Sequence, residues 1–424
     1  MTHAAHEKVT VVGIGYTGLP LAVALAHAGD HVWGVDVDRR RVAAVQHGDS
    51  PVDTVTAAEI RSVAGHLHPT TDPGVLADSA IVVVCVPTPV HETDNTPDLR
   101  PLISAVTTIR DHLRPGQLVV VESTVPPGTT VDLLRPILEE SGLVAGIDFN
   151  LAYSPERMDP GNTRFRLTTT PRVVSGLTPA CRDRAAMFYR RVVANIHTTV
   201  GIAEAETTKI LENVFRQVNI ALVNEFAQVC HELDIDIWDV IAAAATKPYG
   251  FMPFRPGAGV GGHCIPVDTL LMIHHTTTRL GRALRLAETA HAINADMPRW
   301  VADRIVKDLD DRGVTLPDAT VLLLGVTYKP NVADTRGTPA IPLTEELLRR
   351  GLTVTYHDPY IPELRWAGQR LRRCDDLAAA VGSADLVVVV QRHRDYDAQT
   401  LASARRLFDA TGPATDHHRG TAQG

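Results

Sequence analysis

The stretch Phe254 to Asp268 reads F-R-P-G-A-G-V-G-G-H-C-I-P-V-D, which sets one cysteine, Cys264, behind four glycines and ahead of an acid. Glycine adds no side-chain packing and loses conformational entropy on folding, so such a run is expected where backbone approaches a ligand closely or presents oriented N–H groups. With a lysine nearby, those groups would lower a thiol pKa and steady an oxyanion. At the other end of the chain, Lys8 to Gly18 reads K-V-T-V-V-G-I-G-Y-T-G. Gly13, Gly15 and Gly18 fit the dinucleotide fingerprint, directly after a strand pattern and before a helical one, where a helix amino terminus favours a pyrophosphate. A thiol and a hydride acceptor in one chain imply an oxidation that passes through a thioester.

Asp36 closes the second strand pattern at the distance where an acid accepts hydrogen bonds from an adenosine ribose and repels a further phosphate, which favours NAD over NADP. The bland alternative is a solvated strand-end acid beside Arg39 to Arg41, a cluster that would welcome a phosphate. C-V-P-T-P from Cys85 to Pro89 and E-S-T-V-P-P-G-T-T from Glu122 to Thr130 put Thr88 and Thr124 at the carboxyl edge of a sheet, where ligands of open α/β sheets bind. Cys85 reads as a packed core thiol. The threonines either cap turns or steer a nicotinamide and a substrate hydroxyl, Thr124 with the stronger case. Glu156, in Y-S-P-E-R-M-D-P-G-N, reaches the same edge or merely caps a turn. Lys209 and Asn213 share one helix face that continues through Gln217 toward Asn224, opposite Ile210, Leu211, Val214 and Phe215. A polar stripe of this kind is usually solvated. His263 adjoins Cys264 on an extended loop and therefore points away from it, as a structural or substrate-lining residue. Lys329 and Arg336, in G-V-T-Y-K-P-N-V-A-D-T-R-G-T-P, offer two cations to a diphosphate, unless Arg336 is spent on Asp334.

The elements that must hold these residues alternate. Val9 to Val12, His31 to Val35, Ile81 to Val86 and Leu118 to Val121 read as strands of a parallel sheet separated by helices. Leu151 to Tyr153, Val173 to Ser175 and Ile196 to Thr199 extend it. A long helical pattern without proline or glycine runs from Ala203 to about Leu233, and a second from Leu284 to about Leu309. Strand patterns then return at Val321 to Leu324, Thr353 to Tyr356 and Leu386 to Val390, with a helix at Ile341 to Arg350. The fold class is α/β: two Rossmann-like, doubly wound parallel-sheet domains joined by a central helical region. The expected bounds are 1–200 for the dinucleotide domain, 201–310 for the helical region with the cysteine loop, and 311–424 for the carboxyl-terminal domain, with a polar tail from Gly412 expected to fray.

The chain has 424 residues, 44% apolar and 21% charged, as a folded globular protein does. Its 41 basic and 49 acidic residues leave a formal charge of −8 and no large basic surface, which excludes nucleic acid as a partner. No apolar run is long enough to cross a bilayer and no secretion signal is visible, so no membrane partner and a cytoplasmic location are expected. The five cysteines are odd in number, widely spaced and without C-x-x-C, so neither disulfides nor a structural metal are indicated.

In order and spacing, G-I-G-Y-T-G-L-P, C-V-P-T-P, S-T-V-P-P-G-T, S-P-E-R, K-I-L-E-N, G-V-G-G-H-C-I-P-V-D and Y-K-P-N-V-A-D-T-R resemble the nucleotide-sugar 6-dehydrogenases, across about residues 8 to 409. The resemblance implies that Cys264 is the nucleophile, that Lys209 and Asn213 stabilise oxyanions, that Asp268 and Thr124 position water or proton, and that Glu156 serves acid–base steps. It implies an NAD site at Gly13, Gly15, Tyr16, Thr17, Gly18, Asp36, Arg41, Pro87, Thr88, Thr124 and Arg336. It implies substrate contacts at Glu156, Arg157, Lys209, Asn213, Phe254, Arg255, Gly257, Gly261, Tyr328 and Lys329. It further implies a nucleotide-sugar substrate, no metal, a homodimer or higher homo-oligomer built on the helical middle, and a carboxyl-terminal domain that binds the nucleotide diphosphate.

The motifs are most similar to the UDP-N-acetylglucosamine 6-dehydrogenase branch, with UDP-glucose, UDP-N-acetylmannosamine or an unusual nucleotide-linked substrate as alternatives. Three places depart from the family pattern: Arg255 where an aromatic is common, Thr269 after Asp268 where proline and a tyrosine nearby are usual, and F-D-A-T at Phe408 to Thr411, which lacks the arginine expected after F-D. Arg255 is a candidate replacement. Two other readings are a silent NAD and nucleotide-sugar binder, against which the retained Cys264, Lys209, Asn213, Glu156 and Asp268 speak, and a two-electron dehydrogenase, which leaves the cysteine loop unexplained.

Overall fold

The computed structural model describes residues 7–91, 95–159, 162 and 164–412. The tail expected to fray lies outside them from residue 413. The chain divides into two compact units, Met1–Glu212 with Leu270–Thr278, and Asn213–Thr269 with Arg279–Gly424.

The first unit is built on an eight-stranded sheet: β1 (Lys8–Val12), β2 (His31–Val35), β3 (Leu67–Thr70), β4 (Ile81–Val84), β5 (Leu118–Val121), β6 (Asn150–Tyr153), β7 (Arg172–Gly176) and β8 (Ile196–Thr198). Their spatial order is β3-β2-β1-β4-β5-β6-β7-β8. I-V-V-V in β4 and L-V-V-V in β5 are buried at every position, because helices cover both faces of a central parallel strand. One pairing departs from the expected parallel sheet: β6 and β7 are antiparallel, Ala152 opposite Gly176. β3 is missing from the sequence reading since L-H-P-T, with its proline and histidine, carries little strand signal.

The second unit carries a six-stranded sheet: β9 (Thr320–Leu324), β10 (Thr353–His357), β11 (Leu364–Trp366), β12 (Gln369–Arg373), β13 (Leu386–Val389) and β14 (Leu407–Asp409). The order is β11-β12-β10-β9-β13-β14, parallel except for the β11–β12 hairpin. Two long helices, Ile202–Glu232 and Arg285–Asp310, match the two long periodic segments of the sequence. Pro298 interrupts the second; lacking an N–H, it leaves the Asn294 carbonyl without its helical donor, and Gly259 comes within reach of both residues.

The polar stripe on the first long helix inverts the usual expectation. Glu206, Lys209, Asn213, Gln217 and Asn224 are buried, while Leu211, Phe215, Leu222, Phe226 and Val229 face solvent; of the apolar flank named opposite the stripe, Ile210 is buried and Val214 half-buried. Among the described residues no helix is long and apolar enough to cross a membrane.

Candidate active site

The glycine turn after β1 is shaped for an anion. Gly13 has φ +91°, and a Cβ there would stand 2.6 Å from the Cys85 carbonyl oxygen, so only glycine lets the turn sit against the end of β4. The helix Gly18–His27 follows, and its N-cap Thr17 makes no side-chain cap bond. Leu19 N donates to the Gly15 carbonyl at 3.1 Å and Pro20 carries no N–H, which leaves Gly18 N–H as the first-turn donor for a phosphate, and open space lies beside Gly15. Tyr16 packs on the core behind the turn. Asp36, just past β2, accepts from Ile14 N at 3.0 Å, Asp38 N at 2.9 Å and Arg41 at 2.8 Å. With three of about four lone-pair positions used, one remains for a ribose hydroxyl. The Arg41 end of the cluster is thus tied to Asp36, which weakens the phosphate-welcoming alternative. These residues fit a dinucleotide.

At the carboxyl edge of the same sheet, Thr88 Oγ1 donates to the Thr124 carbonyl at 2.7 Å, joining the loops after β4 and β5. The Thr88 hydroxyl thus serves the turn-capping alternative in this state. Pro87 is exposed and Thr124 half-buried. Glu156 lies past β6; loss of water pushes its carboxyl above the ordinary range, against the pull of the Lys209 charge, the Met158 N–H and Arg172. A carboxyl so placed holds a proton more readily than an exposed one, which suits acid–base work. Arg157 pairs with Glu212 at 2.6 Å and donates to the Pro171 carbonyl.

Beneath this edge sits a buried ionic group that the sequence reading missed. Glu122, 1% exposed, takes both the Tyr189 hydroxyl and the Arg172 guanidinium, and Arg172 Nε donates to Ser154 Oγ at 2.8 Å. Cys85 is core, its thiol pushed up by burial and then by Glu122. Glu206, also missed, accepts from the Gly128 and Thr130 N–H groups at 2.6 and 2.9 Å. Its signal was its place three residues before Lys209 on the polar stripe.

In the second unit the cysteine loop ends differently from the sequence reading. I-P-V-D is helix, not loop: the helix Ile265–Leu280 begins directly after Cys264, whose carbonyl accepts from Asp268 N at 2.9 Å. Half-buried Cys264 therefore stands at a helix amino terminus, where the dipole favours thiolate. Pro266 in the first turn was the overlooked signal. Asp268, 3% exposed, accepts from Asn213 Nδ2 at 2.5 Å. Thr269, one of the three departures, is buried and donates to the Ile265 carbonyl, a local helix contact.

The glycines approach the protein's own chain rather than open space. A Cβ on Gly261 would lie 2.8 Å from Tyr328, and one on Gly262 2.9 Å from the Tyr328 ring. Gly257 N donates to Asn224 Oδ1, and Asn224 donates to Asn294, which explains why the stripe is buried at that point. Phe254 meets Phe215 edge-on at 5.8 Å, and Arg255 is exposed. Arg336 forms a two-pronged pair with Asp334, the competing partner foreseen from sequence, while Lys329 follows Tyr328 on the same turn. Phe408 packs beside Arg304, and Asp409 pairs with Arg392, so the F-D segment has cations of its own despite the missing arginine.

Three domains in sequence match the NAD-binding domain (residues 7–193), the central domain (203–296) and the UDP-binding domain (322–418) of one family. The chain belongs to the UDP-glucose/GDP-mannose dehydrogenase family. It is 38% identical over 356 residues to the UDP-N-acetyl-D-glucosamine 6-dehydrogenase of Pseudomonas aeruginosa, covering 84% of this chain and 83% of that one. It is 34% identical over 398 residues to the UDP-N-acetyl-D-mannosamine dehydrogenase of Methanococcus aeolicus, covering 92% and 85%. Its fold superposes on that of the UDP-D-ManNAc dehydrogenase from Pyrococcus horikoshii with a TM-score of 0.86 at 30% identity, covering 96% of each chain. The expectations of an NAD-dependent nucleotide-sugar dehydrogenase with two sheet domains around a helical middle are thereby borne out.

Proposed function

We propose that this member of the family oxidises the C6 hydroxymethyl of a UDP-N-acetylhexosamine, UDP-N-acetylglucosamine first, to the uronic acid through a cysteine thioester. The observation that carries the reading is Cys264 at the start of a helix, with the hydrogen-bonded Asp268–Asn213 pair one turn further on. The helix amino terminus favours the thiolate, and an acid and an amide one turn away are suited to hold a proton and an oxyanion.

NAD, when bound at the glycine turn and Asp36, supplies the hydride acceptor, and the two oxidations consume two molecules of it. A base takes the hydroxyl proton as hydride leaves carbon 6, Glu156 being suited to this by its raised carboxyl. The Cys264 thiolate adds to the aldehyde, giving a thiohemiacetal whose oxyanion Lys209 and Asn213 stabilise. Loss of the second hydride leaves a thioester. Water positioned by Asp268 and Thr124 hydrolyses it, releasing acid and thiolate. Holding the aldehyde covalently prevents its escape.

The sugar is chosen on similarity: the N-acetylglucosamine relative is 38% identical and the N-acetylmannosamine relative 34%. The second substrate reading therefore stays with UDP-N-acetylmannosamine. We also infer a homodimer, because Leu222, Phe226 and Val229 form one exposed apolar face of the long helix, a patch that water tolerates poorly.

A panel of UDP-, GDP- and dTDP-sugars read by NADH absorbance tests base and sugar together. With the true substrate and excess NAD, two NADH form per sugar oxidised, and Cys264→Ala makes no acid. A ratio of one, or an active alanine variant, removes the thioester route.

A further inference from the structure

The second sheet repeats a device of the first and closes it. In the first unit, Gly13 N bonds the Val35 carbonyl and Ile14 N bonds the acid after β2, Asp36. In the second, Gly325 N bonds the His357 carbonyl and Val326 N bonds the acid after β10, Asp358, at 2.7 Å. The two acids differ in what else they hold. Asp358 is fully buried, and its oxygens accept from Val326 N, Tyr360 N, Ile361 N and His393 Nε2. Four donors exhaust a carboxylate, so nothing remains for a ribose.

His393 in turn faces the Y-K-P-N turn. Its Nδ1 lies 2.9 Å from Asn331 N, a group that can only donate, so Nδ1 accepts and the proton sits on Nε2 toward Asp358. Asn331 has φ +61°, a conformation that needs support, and its side-chain oxygen accepts from Arg394 N at 2.8 Å. The turn so held begins at Tyr328, and Gly261 and Gly262 press on Tyr328 while Gly262 N donates to the Arg336 carbonyl at 3.1 Å.

We propose that His393 is a positioning residue for Cys264: it clamps the Asn331 turn to Asp358, and the turn's Tyr328 is the platform on which Gly261 and Gly262 set the cysteine loop. The proposal rests on the reading of Cys264 as the nucleophile. Removing the imidazole leaves Asn331 N without its acceptor and frees the turn; glutamine, with an amide oxygen and nitrogen, can restore both bonds.

The test compares full-length wild type, His393→Ala and His393→Gln by hydrogen–deuterium exchange and by kinetics. In the alanine variant, exchange of the 256–264 segment rises about tenfold while β4 and β13 keep their protection, and kcat falls by up to about a hundredfold, with KM changing far less, as a loosened nucleophile predicts. The glutamine variant recovers most of both. Unchanged exchange of 256–264 in the alanine variant, an increase spread evenly over β9, β10 and β13, or no recovery with glutamine overturns the proposal. The exchange pattern with no turnover on any UDP-sugar upholds the positioning role and sinks the proposed reaction instead.

Discussion

Glu206 has no exposure to water, yet its carboxylate takes two backbone N–H groups from the loop that follows Thr124. Burial outweighs those bonds and pushes its pKa from 4.5 up to about 7. The folded state therefore binds a proton that the unfolded chain has released. The stability this contributes is full below pH 4.5 and is lost as pH rises through about 7, a change of about 3 kcal/mol. Urea unfolding at pH 5 and pH 8 should show that loss in wild type and not in Glu206→Gln; equal slopes in both would remove Glu206 as its source. At this scale the motifs marked out Cys264, Lys209, Asn213 and Glu156 as candidates, and the structure sets Asn213 against Asp268 and the Lys209 charge beside Glu156. The buried contacts of Glu122, Arg172 and His393 were not legible, since an acid, an arginine and a histidine far apart in sequence give no sign that they meet partners within a fold.

The long helix Ile202–Glu232 shows how burial can oppose a surface reading. A polar stripe with an apolar stripe behind it normally turns the apolar side inward. Here Asn224 is bound to Gly257 and Asn294, Asn213 to Asp268, and Glu206 to Gly128 and Thr130, so most of the polar side is satisfied internally and can be buried, Gln217 Oε1 being the exception. The exposed apolar side, with Leu222, Phe226 and Val229, is the surface the proposed homodimer would cover. Phe226→Glu should halve the mass seen by light scattering while leaving the melting of the single chain nearly unchanged, as Phe226 is exposed within it. A wild-type protein that is monomeric at micromolar concentration would dispose of the dimer. The periodicity showed that this helix exists and where it ends within a residue or two. It could not show which side faces inward, because that depends on partners supplied by other segments.

Two sheet-forming ends around a helical middle were visible in the alternation of β-branched runs and helical patterns, as were the strands buried at every position, β4, β5, β7 and β13. The whole chain should bind one NAD, not two: Asp36 keeps an acceptor position for a ribose, whereas Asp358 spends all of its own on Val326, Tyr360, Ile361 and His393. Equilibrium titration of NAD into the protein should saturate at one per chain, and a second site of comparable affinity would contradict the accounting. Local order alone determined the strands, the glycine turn, the cysteine motif and, through them, the family, because backbone propensity and hydrophobic period act over a few residues. Tertiary structure decided that I-P-V-D starts a helix under Cys264, that the glycines rest on Tyr328, that the polar stripe is inside, and that the second acid is closed by a histidine. Each of these is a competition for hydrogen-bond donors or for space between segments distant in the chain, and no short window of sequence contains both competitors.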